Sequence, residues 1–202
     1  MERSKMTYDL DEKDNSIIYV GYGANRDPRM MLHITGEEPE ILFDGKDVFI
    51  QDYELVVQTY DDIPPVRFNG AVYSDKNGMK SGWGGSLEQF LTYNIRPKTG
   101  AQVQAKLFRI SRAGHERVRI WENWFKPVIV NVKSPDGQII QANTDGLWEN
   151  QSASGGGVDG LNYKTYLNER KDMWRVADSV RKKGTLECAK VNITQAEPAI
   201  GG

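Results

Sequence analysis

Ile17-Ile18-Tyr19-Val20-Gly21-Tyr22-Gly23-Ala24-Asn25-Arg26-Asp27-Pro28-Arg29-Met30-Met31 reads as a buried strand, a glycine-rich turn and a helix start. Ile17 to Val20 is an apolar run of β-branched and aromatic residues, the composition of a short strand packed on both faces. Gly21 and Gly23 bracket Tyr22, and Asn25 follows, so the backbone is expected to take positive φ there and to approach a ligand with no Cβ in the way. Asp27 is placed to cap the next helix, and Pro28 falls at its first position, where no amide is missed. A strand, a glycine turn and a helix N-terminus in that order aim backbone N–H groups at one point. Such a point suits a carboxylate, a phosphate or a developing oxyanion.

Outward from this stretch, antiparallel signals dominate. The first helix runs from Pro28 to about His33 and ends near Gly36. Glu40 to Phe43 and Asp47 to Ile50 flank Asp44-Gly45-Lys46, a hairpin-type turn, and Tyr53 to Thr59 continues as a strand. Asp61 to Pro65 breaks regular structure, and Gly70 to Tyr73 suits a short strand before the turn Asp75 to Gly78. Ser81 to Ser86 is flexible in composition, Leu87 to Leu91 suits a helical turn, and Pro97 to Gly100 reads as a loop. Val103 to Ile110 is a strand, with Val103, Ala105 and Leu107 on one face and Phe108 and Ile110 on the other. Arg112 to Trp124 reads as a helix on the stripe Val118, Trp121, Phe125, ended by Pro127. The alternating runs on either side of Ser134-Pro135-Asp136-Gly137 form a hairpin. Glu149 to Gly160 reads as a mobile Gly/Ser loop. Tyr163 to about Lys182 reads as a longer amphipathic helix, stopped by Gly184 and followed by a loose tail. The fold class is therefore α+β with a largely antiparallel, strongly curved or closed sheet. Residues 1–15 are a polar extension, 16–183 one domain and 184–202 a tail.

At 202 residues the chain buries roughly 70% of its unfolded surface in a single core. Lys+Arg is 26 against Asp+Glu 28, so there is no basic field for nucleic acid, and the expected partner is a small molecule. No run of about 20 apolar residues predicts a membrane span, and Met1 to Asn15 lacks the apolar core of a secretory signal. Cys188 is the only cysteine, which allows no internal disulfide and accords with a cytoplasmic setting. With only His33 and His115, none of the usual zinc spacings occurs, and no metal or cofactor is expected. Asn192-Ile193-Thr194 matches a glycosylation acceptor by chance in such a setting.

For chemistry, Glu122 stands four residues from Val118 and three from Phe125, at the edge of the apolar helix stripe and beside Trp121. On this pattern two readings stay open. One is a solvated helix-edge glutamate; the other is a half-buried carboxylate with a raised pKa suited to general acid/base work near neutrality. The Tyr22 turn is equally two-sided, since a Gly-x-Gly after a first strand also serves helix packing. It is neither a dinucleotide fingerprint, lacking the third glycine, nor a Walker loop, lacking Gly-Lys-Ser/Thr. No Gly-x-Ser-x-Gly elbow is present. Cys188 reads as an inert thiol, His115 as an exposed helix residue, and most of Trp83, Trp121, Trp124, Trp148 and Trp174 as core.

Taken together, Tyr22-Gly23-Ala24-Asn25 after a buried first strand, and Val103 to Ile110 followed by a helix carrying Trp121-Glu122-Asn123, resemble the γ-glutamylcyclotransferase-like family. There a first strand ends in Tyr-Gly-Ser-Asn, and a later strand and helix present a glutamate. The resemblance spans approximately residues 16–182. It implies a small mixed β-barrel with flanking helices, a loop Tyr22, Gly23, Ala24, Asn25 that binds the γ-glutamyl group through backbone amides, and Glu122 as general acid/base. It also implies a reaction without metal or cofactor, in which the substrate's α-amine attacks its own γ-carbonyl to give 5-oxoproline and a free amine. Tyr163 and Tyr166 are the candidates for a ligand-side tyrosine, with core packing as the alternative for each. The chain departs from the pattern at Ala24, where serine is usual, and at Asn123, where glycine is common. The alternative to an enzyme is a non-catalytic small-molecule binding module that keeps the same pocket.

Overall fold

A computed structural model of the chain describes residues 15–59, 61–62, 66–68, 71–72, 91–122, 125–147, 153–156 and 197–198. Strand β1 (Ser16–Gly21) leads through a 3-10 turn, Ala24–Arg26, into helix α1 (Pro28–Thr35). Then come β2 (Glu40–Ile41), β3 (Val48–Thr59), β4 (Val66–Phe68), β5 (Ala71–Val72) and the long β6 (Leu91–Ser111). Helix α2 (Arg112–Trp121) and strands β7 (Lys126–Lys133), β8 (Ile139–Gly146), β9 (Ser154–Gly156) and β10 (Glu197–Pro198) complete the order. The expectations for residues 1–14, Ser81 to Phe90, the helix from Tyr163 to Lys182, Cys188 and Trp83, Trp124, Trp148 and Trp174 lie outside the described residues.

The main sheet has the order β2-β6-β1-β8-β7-β3-β9, and β3 pairs with β6 as well, which brings the sheet round into a ring. Every pairing is antiparallel except β1 with β8, which is parallel at Tyr19↔Asn143. This is the α+β, largely antiparallel barrel expected. Period-2 alternation fills its interior: Val48 and Ile50 on β3, Val103, Ala105 and Leu107 on β6, Val130 and Val132 on β7, Ile140 and Ala142 on β8. The opposite face of β1 and β6 carries Tyr19, Phe108 and Ile110, all buried. Helix α2 packs on both of these strands and on α1, and the helices bury Met30, Met31 and Ile34 from α1 and Val118 and Trp121 from α2.

Local signals placed several elements correctly. Asp27 accepts from the Arg29 amide at 2.9 Å to cap α1, Pro28 follows it, and Gly36 ends the helix at φ 72°. The β7–β8 hairpin turns through Ser134 to Gly137, with Gly137 at φ 91° and the Ser134 amide on the Gln138 carbonyl at 2.9 Å.

Other expectations are corrected. β2 and β3 do not form a hairpin: both pair with β6, β2 at Phe108 and Arg109 and β3 from Ala105 onward. The Leu42–Gly45 turn between them is a jog along one edge, with Phe43 and Asp44 at φ 55° and 53° and Phe43 driven into the core. Pro97 to Gly100 falls inside β6, where Pro97 pairs with Tyr53 and the register with β3 resumes at Gln102, so residues 98–101 form a bulge in the strand and not a separate loop. The single residue Asp52, φ 61°, stands opposite this bulge, and its carboxylate accepts from the Gly100 amide at 2.8 Å. Within the expected mobile loop, Ser154–Gly156 adds to β3, and within the expected loose tail Glu197 and Pro198 pair with β4. β4, Val66–Phe68, forms where the sequence carries no strand pattern of its own.

Candidate active site

The turn after β1 is built around a close backbone approach. A Cβ on Gly21 would stand 2.2 Å from the Asn25 carbonyl oxygen, so only glycine lets the strand end fold back onto the 3-10 turn. Neither Gly21 nor Gly23 has positive φ, contrary to expectation; the need at Gly21 is space, and Gly23 has ordinary room beside Tyr93. The turn is closed by the Arg26 amide on the Gly23 carbonyl and the Asp27 amide on the Ala24 carbonyl, both at 3.1 Å. Because the clash is with backbone, Gly21→Ala is expected to destabilise the protein by about 3 kcal/mol, measured by urea denaturation. Gly23→Ala, with its ordinary contacts, should change stability by much less.

Glu122 enters from the end of α2. Ser111 caps the start of this helix, its hydroxyl accepting from the Gly114 amide at 2.9 Å. The helix ends at Trp121, earlier than the stripe suggested, and Glu122 is its C-cap at φ −96°, ψ 29°. Its amide still donates to the Val118 carbonyl at 2.8 Å, while its carbonyl accepts from the Phe125 amide at 2.9 Å. Leaving the helix at this point turns the half-buried Glu122 side chain toward the β1 turn. Asn25 Nδ2 donates to Glu122 Oε1 at 2.6 Å.

The same Asn25 amide nitrogen donates to the Tyr19 hydroxyl at 3.0 Å. Tyr19 in turn donates to Asp145 Oδ2 at 3.3 Å, and Asp145 forms an ion pair with Arg119, both almost wholly buried. Arg119 Nη2 also donates to the Phe125 carbonyl at 3.0 Å. One polar chain therefore joins α2, the β1 turn, β1 and β8. Its electrostatics follow from burial. Desolvation raises Glu122 to about 7, against the pull of Arg119, Asn25 and Trp121, which all favour the carboxylate. Burial also raises Tyr19 and Tyr22, with the Glu122 charge acting in the same direction. His115 is not exposed: it lies against Tyr19, ring centroids 6.3 Å apart, and burial with Arg119 and Arg112 lowers it to about 4. Near neutral pH the site thus holds a carboxylate poised to gain or lose a proton, and the imidazole packed against Tyr19 is neutral.

Of the residues singled out in the sequence, Asn25 and Glu122 meet directly. Tyr22 turns into the barrel core, its hydroxyl donating to the Asp145 carbonyl at 2.6 Å, with Asn94 Oδ1 3.3 Å away. Gly23 and Ala24 shape the turn through their backbone. Tyr163 and Tyr166 lie outside the described residues. Tyr19, Arg119 and Asp145 join the site without a sequence motif to mark them: Tyr19 reads as a strand residue, and Asp145 lies beyond the alternating part of β8. Only Arg119 had a signal, since a cation next to Val118 and three residues before Glu122 falls near the buried face. Among the described residues no three His, Cys, Asp or Glu side chains converge as metal ligands would, and no helix is long and apolar enough to cross a membrane.

Comparison with protein families finds no match, and comparison with curated proteins finds none either. Among solved structures, the chain is similar to a γ-glutamyl cyclotransferase at 13% identity and TM-score 0.49, over 92% of this chain and 90% of that one. It is similar to an uncharacterized protein from Homo sapiens at 14% identity and TM-score 0.49, over 94% and 92% of the two chains. A solution structure from Arabidopsis thaliana is similar at 14% identity and TM-score 0.49, over 93% and 97%. At such identities neither an activity nor a substrate carries across.

Proposed function

We propose that this protein cyclises a γ-glutamyl amine or γ-glutamyl amino acid to 5-oxoproline, releasing the amine, with Glu122 as general acid/base. The observation that carries the reading is the 2.6 Å contact between Asn25 and Glu122, which joins the glycine turn and the carboxylate in one site. A base raised to about 7 supports it, because such a group exchanges protons readily near neutrality.

In this reaction the nucleophile belongs to the substrate. Glu122 takes a proton from the α-ammonium, and the freed amine attacks the γ-carbonyl carbon, forming the ring C–N bond. The attacking nitrogen then gives up its second proton to water, and as the tetrahedral intermediate collapses the bond to the leaving nitrogen breaks and Glu122 returns its proton to that nitrogen. Holding the chain folded for attack lowers the barrier by several kcal/mol. The first N–H groups of a helical turn have no intrahelical acceptor, so the Gly23 to Asn25 turn is suited to stabilising the oxyanion or holding the α-carboxylate. No covalent enzyme intermediate is required.

The test is to incubate the purified protein with a panel of γ-glutamyl amines and γ-glutamyl amino acids and to quantify 5-oxoproline. Turnover of at least one compound, lost in Glu122→Gln, is the expected result; absence of turnover by the wild type, or equal rates for both proteins, rejects it. Ala24, which lacks the hydroxyl of the more usual serine, is the feature favouring a binding module instead. That reading predicts a raised Tm with 5-oxoproline or glutamate and no product, since a ligand at ~100 Kd adds about 2.7 kcal/mol.

A further inference from the structure

Asn25 is an amide, and an amide has two faces: turned one way it offers N–H groups to Glu122, turned the other way it sets a carbonyl oxygen against a carboxylate. The orientation is decided at Tyr19. Arg119 pairs with Asp145, which keeps that carboxylate an acceptor; Asp145 Oδ2 then takes the Tyr19 hydroxyl proton at 3.3 Å. With its proton committed to Asp145, the Tyr19 oxygen is left as an acceptor, and Asn25 Nδ2 fills it at 3.0 Å. The amide's other proton on the same nitrogen then reaches Glu122 Oε1 at 2.6 Å. We propose that Tyr19 is a positioning residue that, anchored by Asp145 and Arg119, locks the Asn25 amide with its N–H face toward Glu122 and so sets the proton affinity of that carboxylate.

The inference rests on Glu122 being the proton-handling group of the proposed reaction, but the geometry it concerns exists without substrate. Among the described residues, the charged and titratable groups around Glu122 are Arg119 on its own helix, Tyr19 on β1, Tyr22 in the turn, Asp145 on β8, and His115 against Tyr19. Of these, Tyr19 alone is hydrogen-bonded to Asn25 among the contacts described, so its hydroxyl is the one whose removal frees the amide to rotate. A freed amide loses part of a charge-assisted hydrogen bond, which favours the protonated carboxyl.

Two measurements test this without recourse to turnover. First, the Glu122 carboxyl is titrated by carbon-detected NMR in wild type, Tyr19→Phe, Asn25→Ala and the double variant. Tyr19→Phe is expected to raise the midpoint by about one pH unit. In the Asn25→Ala background it should add nothing, because Tyr19 acts through the amide. An unchanged midpoint in Tyr19→Phe, or an equal further shift in the double variant, overturns the proposal. Second, in the wild-type protein, which avoids any folding defect of the variant, both Asn25 side-chain amide protons should be shifted downfield and slow to exchange. A single protected proton overturns it. If turnover is present, the acid limb of kcat should move up with the titration midpoint while KM changes less than twofold, a split that loss of packing alone would not give. A shifted titration with no turnover in any protein upholds Tyr19 and rejects the cyclisation reading instead.

Discussion

Glu122→Gln is expected to lower kcat/KM for a γ-glutamyl substrate by about 10²- to 10⁴-fold, the range supplied by a positioned acid/base group. Glutamine keeps the shape and can accept from Asn25, but it cannot carry the proton from the α-ammonium to the leaving nitrogen. In the wild type the base must be ionised, so kcat/KM should rise with pH through a midpoint of about 7; a profile flat from pH 5 to 9 would remove Glu122 from the chemistry. The same group has a signature in stability. Its folded value, about 7, lies above its ordinary value of 4.5, so the folded state binds more protons than the unfolded state between the two. Wild-type stability from this group is therefore full below about pH 4.5 and lost as pH rises through 7. Glutamine never ionises and escapes that loss. At pH 8 the variant should be more stable than wild type by about 2 kcal/mol, allowing for residual solvent contact at a half-buried carboxyl. At pH 4.5 the difference should vanish. Urea denaturation at the two pH values measures this, and a variant equally or less stable at pH 8 would mean that burial does not disfavour the charge.

The second large effect is in the ion pair behind the site. Arg119 and Asp145 have side chains only 5% and 2% exposed, so each charge relies on the other. Asp145→Asn keeps the size of the side chain but removes the carboxylate that pairs with the buried Arg119 charge, which is expected to destabilise the protein by about 3 to 5 kcal/mol. For a chain of this length that corresponds to a fall in Tm on the order of 10 °C. Glu40 and Arg109 form the matching control: their contact is 2.9 Å long, with side chains 53% and 24% exposed. Glu40→Gln should therefore change stability by less than about 1 kcal/mol, and high salt should erase even that. Equal effects at the two pairs would show that water reaches Arg119.

Fold and site were legible to different depths. Asp27, Pro28 and Gly36 mark α1 because capping and left-handed termination are properties of a few adjacent residues, and Ser134 to Gly137 marks its hairpin for the same reason. The stripe Val118, Trp121, Phe125 is buried as its spacing requires. Glu40 to Ile50 misled because both strand segments satisfy the same partner, β6, and no local pattern says whether two strands pair with each other or with a third. Pro97 to Gly100 misled because long-range pairing on either side, Pro97 with Tyr53 and Gln102 with Gln51, carries β6 through them as a bulge that no local pattern announces.

By itself the sequence determined the strand–turn–helix of residues 17–31, the antiparallel α+β class, and the two halves of the site as separate candidates, Asn25 in the turn and Glu122 at the helix edge. Each is encoded by period, cap or turn chemistry acting over a few residues. Only the tertiary structure decided that β3 meets β6 to bring the sheet round, that α2 stops where Glu122 can face the turn, and that Tyr19, Asp145 and Arg119 stand behind Asn25. Asn25 and Glu122 are separated by 97 positions and Tyr19 and Asp145 by 126. Contacts of that range come from ring closure and burial acting on the whole chain, and burial is also what raises the Glu122 carboxyl toward neutrality.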